Sequence, residues 1–188
     1  MKKLRRKRVL LVLFIGLLVL LFIRSEWMGQ WLYPIHYRDD IRASASNYDV
    51  DPYLVAAIIK AETNYQTGRE SRKGALGIMQ IMPDTAHWIT ERAGFTDVTL
   101  DDVHQRADVG IEMGTWYLAS LKHQFNHNTI TAIAAYNAGP GNVTRWLNEK
   151  IWDGEFDTVS QIPFGETRHY VQKVVYYYNK YKELYAEF

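Results

Sequence analysis

The sequence predicts an all-α fold, and three observations carry that prediction. No stretch of the 188 residues shows sustained period-two alternation of apolar and polar side chains. Residues 107–125 place Ala107, Ile111, Gly114, Leu118, Leu121 and Phe125 at spacings of four and three, the stripe of an amphipathic helix. Helix-start and helix-stop residues punctuate the rest of the chain at helical intervals.

The first element is a dense basic run, Lys2 to Arg8, followed by fifteen uncharged residues, Val9 to Ile23. This pairing has the layout of an export signal. No small-x-small pair follows it, so an uncleaved signal anchor is expected, with a transmembrane helix over residues 9–24. Fifteen residues fall short of the roughly 20 a helix needs to cross the hydrocarbon layer, a gap that snorkelling by Arg8 and Arg24 would close, with Trp27 and Trp31 at the far interface. The positive-inside rule then makes residues 1–8 a cytoplasmic segment and residues 25–36 a juxtamembrane connector. The globular part, 37–188, lies outside the cytoplasm, attached to the cell membrane by a single pass.

Within the globular part, Tyr37–Asn47 reads as a first helix. Asp51-Pro52 opens a second, with Asp as cap and Pro at the first helical position. Leu54, Val55, Ile58 and Ile59 face the core and lead to Glu62. Pro83 opens a helix to about Ala93, stopped by Gly94. Residues 96–105 read as polar and irregular. The stripe over 107–125 follows, then a short apolar helix, Thr129–Tyr136, broken by Asn137-Ala-Gly139-Pro-Gly141. Val143–Asn148 forms another helix, 152–163 a loop, and 165–185 a last helix with Tyr170, Val174, Tyr177 and Tyr181 on its apolar side. No repeat, low-complexity tract or flexible linker divides it.

Charge and composition exclude several functions. The first 24 residues hold seven of the 22 basic residues and none of the 21 acidic ones, which leaves the remainder 15 basic against 21 acidic, a net of −6. A nucleic-acid-binding domain ordinarily carries a basic patch, so nucleic acid is not an expected partner. The chain has no cysteine, hence neither disulfides nor thiol chemistry. His123 and His127 have a metal-pair spacing, but no third ligand completes a set, and they read as solvated; no metal or cofactor is implied.

Glu62 is the candidate catalytic residue. Ile58 and Ile59, one turn back, set its carboxyl against apolar surface. Desolvation disfavours a carboxylate and keeps a glutamic acid able to donate a proton near neutral pH. Position alone favours a surface charge at a helix end, since isolated glutamates are far more often surface charges than catalysts. Four segments decide otherwise: Glu62-Thr63; Gly74-Ala-Leu-Gly77-Ile-Met79-Gln80; Ala134-Ala-Tyr136-Asn137-Ala-Gly139-Pro-Gly141; and Ile162-Pro-Phe-Gly-Glu166-Thr167-Arg168-His-Tyr170-Val171. In order and spacing they resemble the catalytic domain of the soluble lytic transglycosylase family, whose fold is related to goose-type lysozyme, over about residues 37–185. Thr63 stands where the family usually has serine and keeps the hydroxyl.

The resemblance implies a lysozyme-like enzyme of the bacterial cell wall whose partner is a peptidoglycan glycan strand. It implies cleavage between N-acetylmuramic acid and N-acetylglucosamine without water, giving 1,6-anhydro ends. It makes Glu62 the single acid and then base, with Thr63, Gly77, Met79, Gln80, Tyr136, Asn137, Glu166 and Tyr170 lining the substrate groove. Several of these residues have a second reading. Met79 suits plain core, Tyr136 and Asn137 suit a helix C-cap, and Glu166 suits a dipole-stabilised residue at a helix N-terminus. Two functions compete with the transglycosylase. A hydrolytic muramidase would draw its second carboxylate from Asp84, Asp97 or Glu166. A non-catalytic glycan-binding scaffold would need the groove but not the acid.

Overall fold

A computed structural model describes residues 2–23, 26–186 and 188. Its helices are α1 (Lys2–Ile23), α2 (Glu26–Leu32), α3 (Arg38–Asn47), α4 (Pro52–Glu62), α5 (Pro83–Ala93), α6 (Leu100–Gln105), α7 (Ala107–Gln124), α8 (Thr129–Ala138), α9 (Pro140–Asn148) and α10 (Gly165–Leu184). Among the described residues there is no strand, only isolated bridges joining Leu76 to Glu70 and to Ile81.

α4 is the axis of the domain. Every residue from Leu54 to Ile59 is buried, and a helix that is apolar all round must be enclosed by others. α10 packs along it, α3 covers another side, and α10 also meets α8, which rests on α7. Asp51 starts α4 by accepting from the Tyr53 amide at 2.9 Å, with Pro52 supplying the first helical φ. Burying side chains such as Leu54, Ile58 and Ile59 contributes about 1.5–3 kcal/mol each, so the helix that ends in Glu62 is among the least movable parts of the fold. Two tyrosines, Tyr53 in α4 and Tyr65 just after it, reach the far end of α10: Tyr53 donates to the Tyr185 carbonyl at 2.6 Å, and Tyr65 donates to Tyr181 at 3.0 Å.

Three elements differ from the sequence expectation. Residues 100–105, expected as irregular, form α6, because Thr99 and Asp102 make a reciprocal capping box that offsets the polar composition. The Asn137–Gly141 break is a tight joint. α8 continues through Ala138, Gly139 turns with φ 84°, and Pro140 begins α9. Residues 25–36, expected as a connector, contain α2, which is docked and not slack. Gln30 donates to the Leu184 carbonyl at 2.8 Å, Tyr185 donates to the Tyr33 carbonyl at 2.9 Å, and a Cβ on Gly29 would lie 2.3 Å from Leu184 Cδ2.

The transmembrane expectation for residues 9–24 requires correction. Among the described residues no helix is long and apolar enough to cross a membrane. The fifteen apolar residues of α1 rise only about 22 Å, against a hydrocarbon layer of about 30 Å. Arg24, expected to snorkel at one end, lies outside the described residues. The apolar side chains from Val9 to Phe22 are nonetheless exposed.

Candidate active site

The end of α4 delivers Glu62 into a mostly buried setting. Desolvation pushes its carboxyl pKa from 4.5 up to about 7, and this outweighs the Tyr170 hydrogen bond and the Lys173 charge, both of which lower it. Tyr170 Oη donates to Glu62 Oε1 at 2.7 Å. The Tyr170 hydroxyl is itself pushed well above its ordinary range, first by burial and then by the Glu62 charge, and so stays a donor. Lys173, one turn further along α10, donates to the Ala61 carbonyl at 2.6 Å, which closes the C-terminal end of α4.

The segment after α4 folds back against that end. Thr63 Oγ1 donates to the Ile78 carbonyl at 2.7 Å from a buried position, so the residue beside the acid is pinned to the 74–80 turn. Gly77 has φ 69°, and a Cβ there would lie 2.0 Å from the Val103 carbonyl oxygen; both facts require glycine. Gln80 turns at φ 51° and donates to the Gly77 carbonyl at 2.8 Å and to the Arg69 carbonyl at 3.1 Å. The Met79 side chain has no exposed surface and packs on Gly114, where a Cβ would approach its sulfur to 2.4 Å. Met79 therefore faces the core, and it meets the site through its carbonyl.

α8 and α10 supply the opposite wall. Tyr136 donates to the Met79 carbonyl at 3.0 Å, and burial with the Glu62 charge keeps its hydroxyl protonated. Asn137 accepts from Thr167 at 2.8 Å, joining the end of α8 to the start of α10. Glu166 is exposed and pairs with Lys73 at 3.0 Å, not with Arg168, which instead donates to the Ile162 carbonyl at 2.7 Å. A cavity of about 320 Å³ beside these residues is lined by Lys73, Gln80, Thr85, Tyr117, Tyr136 and Asn137.

The structure thus brings Glu62, Thr63, Gly77, Gln80, Tyr136, Asn137 and Tyr170 together, with Glu166 at the rim. Sequence reasoning overlooked Lys173 and Lys73. Lys173 stands three residues after Tyr170 on one helix, so helical periodicity alone would place both on one face. Lys73 sits on an irregular loop and left no such signal.

Comparison with known proteins places the chain in a family. Residues 39–158 match the family described as the transglycosylase SLT domain. The chain belongs to the SLT transglycosylase family. Its relatives include the soluble lytic murein transglycosylase of Salmonella typhimurium, 36% identical over 148 residues, which are 77% of this chain and 23% of that protein. The membrane-bound lytic murein transglycosylase C of Edwardsiella ictaluri is 30% identical over 73% of this chain and 44% of its own length. Among solved structures, the 70-kDa soluble lytic transglycosylase of Escherichia coli superposes with a TM-score of 0.77 at 32% identity, covering 82% of this chain and 25% of that one. The lytic transglycosylase Slt of Pseudomonas aeruginosa gives 0.74 at 34% identity, covering 81% and 25%. The chain spans about a quarter of the length of the soluble relatives it matches. In this SLT-family chain the matched span ends before Glu166 and Tyr170, whose placement at the site comes from the geometry.

Proposed function

We propose that this SLT-family protein is a peptidoglycan lytic transglycosylase that cleaves the bond between N-acetylmuramic acid and N-acetylglucosamine, with Glu62 as acid and then base. The observation that carries this reading is the mostly buried Glu62 carboxyl, which accepts from Tyr170 at 2.7 Å and whose pKa is raised to about 7, so that a large share of it stays protonated near neutral pH. Tyr170 donates to Oε1, so the carboxyl proton of neutral Glu62 resides on Oε2, free to be given to a glycosidic oxygen. Once ionised, the carboxylate keeps the Tyr170 bond and feels the Lys173 charge, and both interactions favour the negative form. It then takes the proton from the 6-hydroxyl of the muramic acid, whose oxygen closes a 1,6-anhydro ring. An attacker on the same sugar has a large effective-concentration advantage over water, so one carboxyl suffices. Thr63, Gly77 and Gln80 shape the groove beside the acid, and Tyr136, Asn137 and Glu166 line its other side. Release of soluble fragments from purified peptidoglycan tests the reading. The wild-type chain releases them and Glu62→Gln does not; turnover by the variant within tenfold of wild type, against a loss of about a hundredfold or more for a lost general acid, would show that another group is the acid.

We also propose that the exposed apolar side chains of α1, behind the basic run of residues 2–8, attach the protein to the cell membrane, with the catalytic domain on the side where its peptidoglycan substrate lies. Fractionation checks this: the full chain sediments with membranes and resists salt extraction, whereas recovery in the soluble fraction contradicts it.

A further inference from the structure

A second cavity lies beside the first. It measures about 280 Å³ and is lined by Asp84, Thr85, Trp88, Tyr117, Ser120 and Gln124 among others; Thr85 and Tyr117 belong to both cavities. Trp88 lies on α5, where Ala86 and Ile89 face the core, yet its own side chain remains 39% exposed. It is braced from behind. Trp116 lies 5.4 Å and Tyr117 6.2 Å from it, centroid to centroid, and Tyr117 in turn lies 5.4 Å from Tyr136. A file of aromatic rings therefore runs from the wall of the Glu62 site out to an exposed indole. Polar groups surround that indole with complementary capacities: the Asp84 carboxylate accepts, while the Thr85 and Ser120 hydroxyls and the Gln124 amide both donate and accept. A rigid apolar face ringed by mixed donors and acceptors fits a pyranose, whose C–H face is apolar and whose edge carries hydroxyl and acetamido groups.

We propose that Trp88 forms an additional saccharide subsite, taking one N-acetylhexosamine ring of the glycan strand beyond those held beside Glu62. This rests on the glycan-cleaving reading above and adds to it a preference for longer strands.

The test measures binding of peptide-free glycan oligomers of alternating N-acetylglucosamine and N-acetylmuramic acid, two and four repeats long. The full-length Glu62→Gln protein serves as host so that nothing is cleaved. The host binds the longer oligomer more tightly. Adding Trp88→Ala removes about tenfold of that affinity and leaves the shorter oligomer unaffected, while Trp88→Phe, which keeps a stacking face, restores most of it. Unchanged melting temperatures show that the effect is not unfolding. Equal affinity of host and Trp88→Ala for the longer oligomer overturns the subsite, as does equal loss on both lengths. So does a gain that appears only when peptide stems are present, which would assign the cavity to peptide. Digestion of peptidoglycan by the wild-type chain, run alongside, separates the two claims. Fragment release without a Trp88 effect leaves the function standing and removes only the subsite; no release and no binding remove both.

Discussion

Replacing the proposed acid should make the fold more stable, and the pH dependence of that gain measures how strongly the site is tuned. The Glu62 carboxyl ionises near pH 7 in the folded protein against 4.5 for an unperturbed glutamate. A group whose folded value is raised favours folding fully below its unfolded value and loses that contribution as pH rises through the folded one. Each pH unit between the two values is worth about 1.4 kcal/mol, so ionising Glu62 in place costs the native state about 3 kcal/mol by pH 8. Glutamine fills the same volume, accepts the Tyr170 bond through its amide oxygen and never ionises. Glu62→Gln should therefore gain about 3 kcal/mol over wild type at pH 8 relative to their difference at pH 4. For a domain of this size that is a separation of melting temperatures of about 6–12 °C. Thermal unfolding followed by circular dichroism at both pH values reads it directly. A wild-type-to-variant difference that is the same at pH 4 and pH 8 would refute the reasoning, because Glu62 would then titrate as an ordinary surface carboxyl.

Two further substitutions probe how the site is held. Tyr170→Phe removes a donor that favours ionised Glu62, so the alkaline limb of the kcat/KM profile, near pH 7 in wild type, should move upward while kcat falls about tenfold; an unmoved limb would detach Tyr170 from the acid. Gly77→Ala combines a left-handed backbone with a Cβ 2.0 Å from the Val103 carbonyl and should cost more than about 3 kcal/mol in denaturant unfolding, whereas a cost under 1 kcal/mol would mean the 74–80 turn relaxes freely.

Much of this architecture was legible because local rules and tertiary packing agree. Asp51-Pro52 and Pro83 with Gly94 carry start and stop signals, the stripe from Ala107 carries a periodic apolar face, and each became a helix at the expected place. α6 was missed because its capping box, Thr99 with Asp102, sits in a polar stretch with little apolar periodicity to support it. The docking of α2 was missed because it depends on partners more than 150 residues away, Leu184 and Tyr185, which no window of sequence connects. At the site, Glu62 was readable through the four segments taken together, since the isoleucines one turn before it do not by themselves set it apart from a surface charge. The sequence left Met79 open between groove and core. Burial decides for the core, since Gly114 on a distant helix leaves the space its sulfur fills. Glu166 was expected in the substrate groove or as a dipole-stabilised residue at a helix start; it pairs with Lys73, a loop residue whose position depends on the 63–82 segment as a whole.

The most direct test of the central claim is the mass of the fragments that the full-length chain releases from purified peptidoglycan. A single neutral glutamic acid that hands on its proton and then takes one from the sugar's own 6-hydroxyl must leave 1,6-anhydro-muramic acid ends, each one water lighter than a hydrolytic end. Fragments carrying that deficit from the first minutes of digestion are the predicted result. Fragments ending in reducing muramic acid would contradict it, since water would then be the attacker and a second carboxylate, at Asp84, Asp97 or Glu166, would have to hold it.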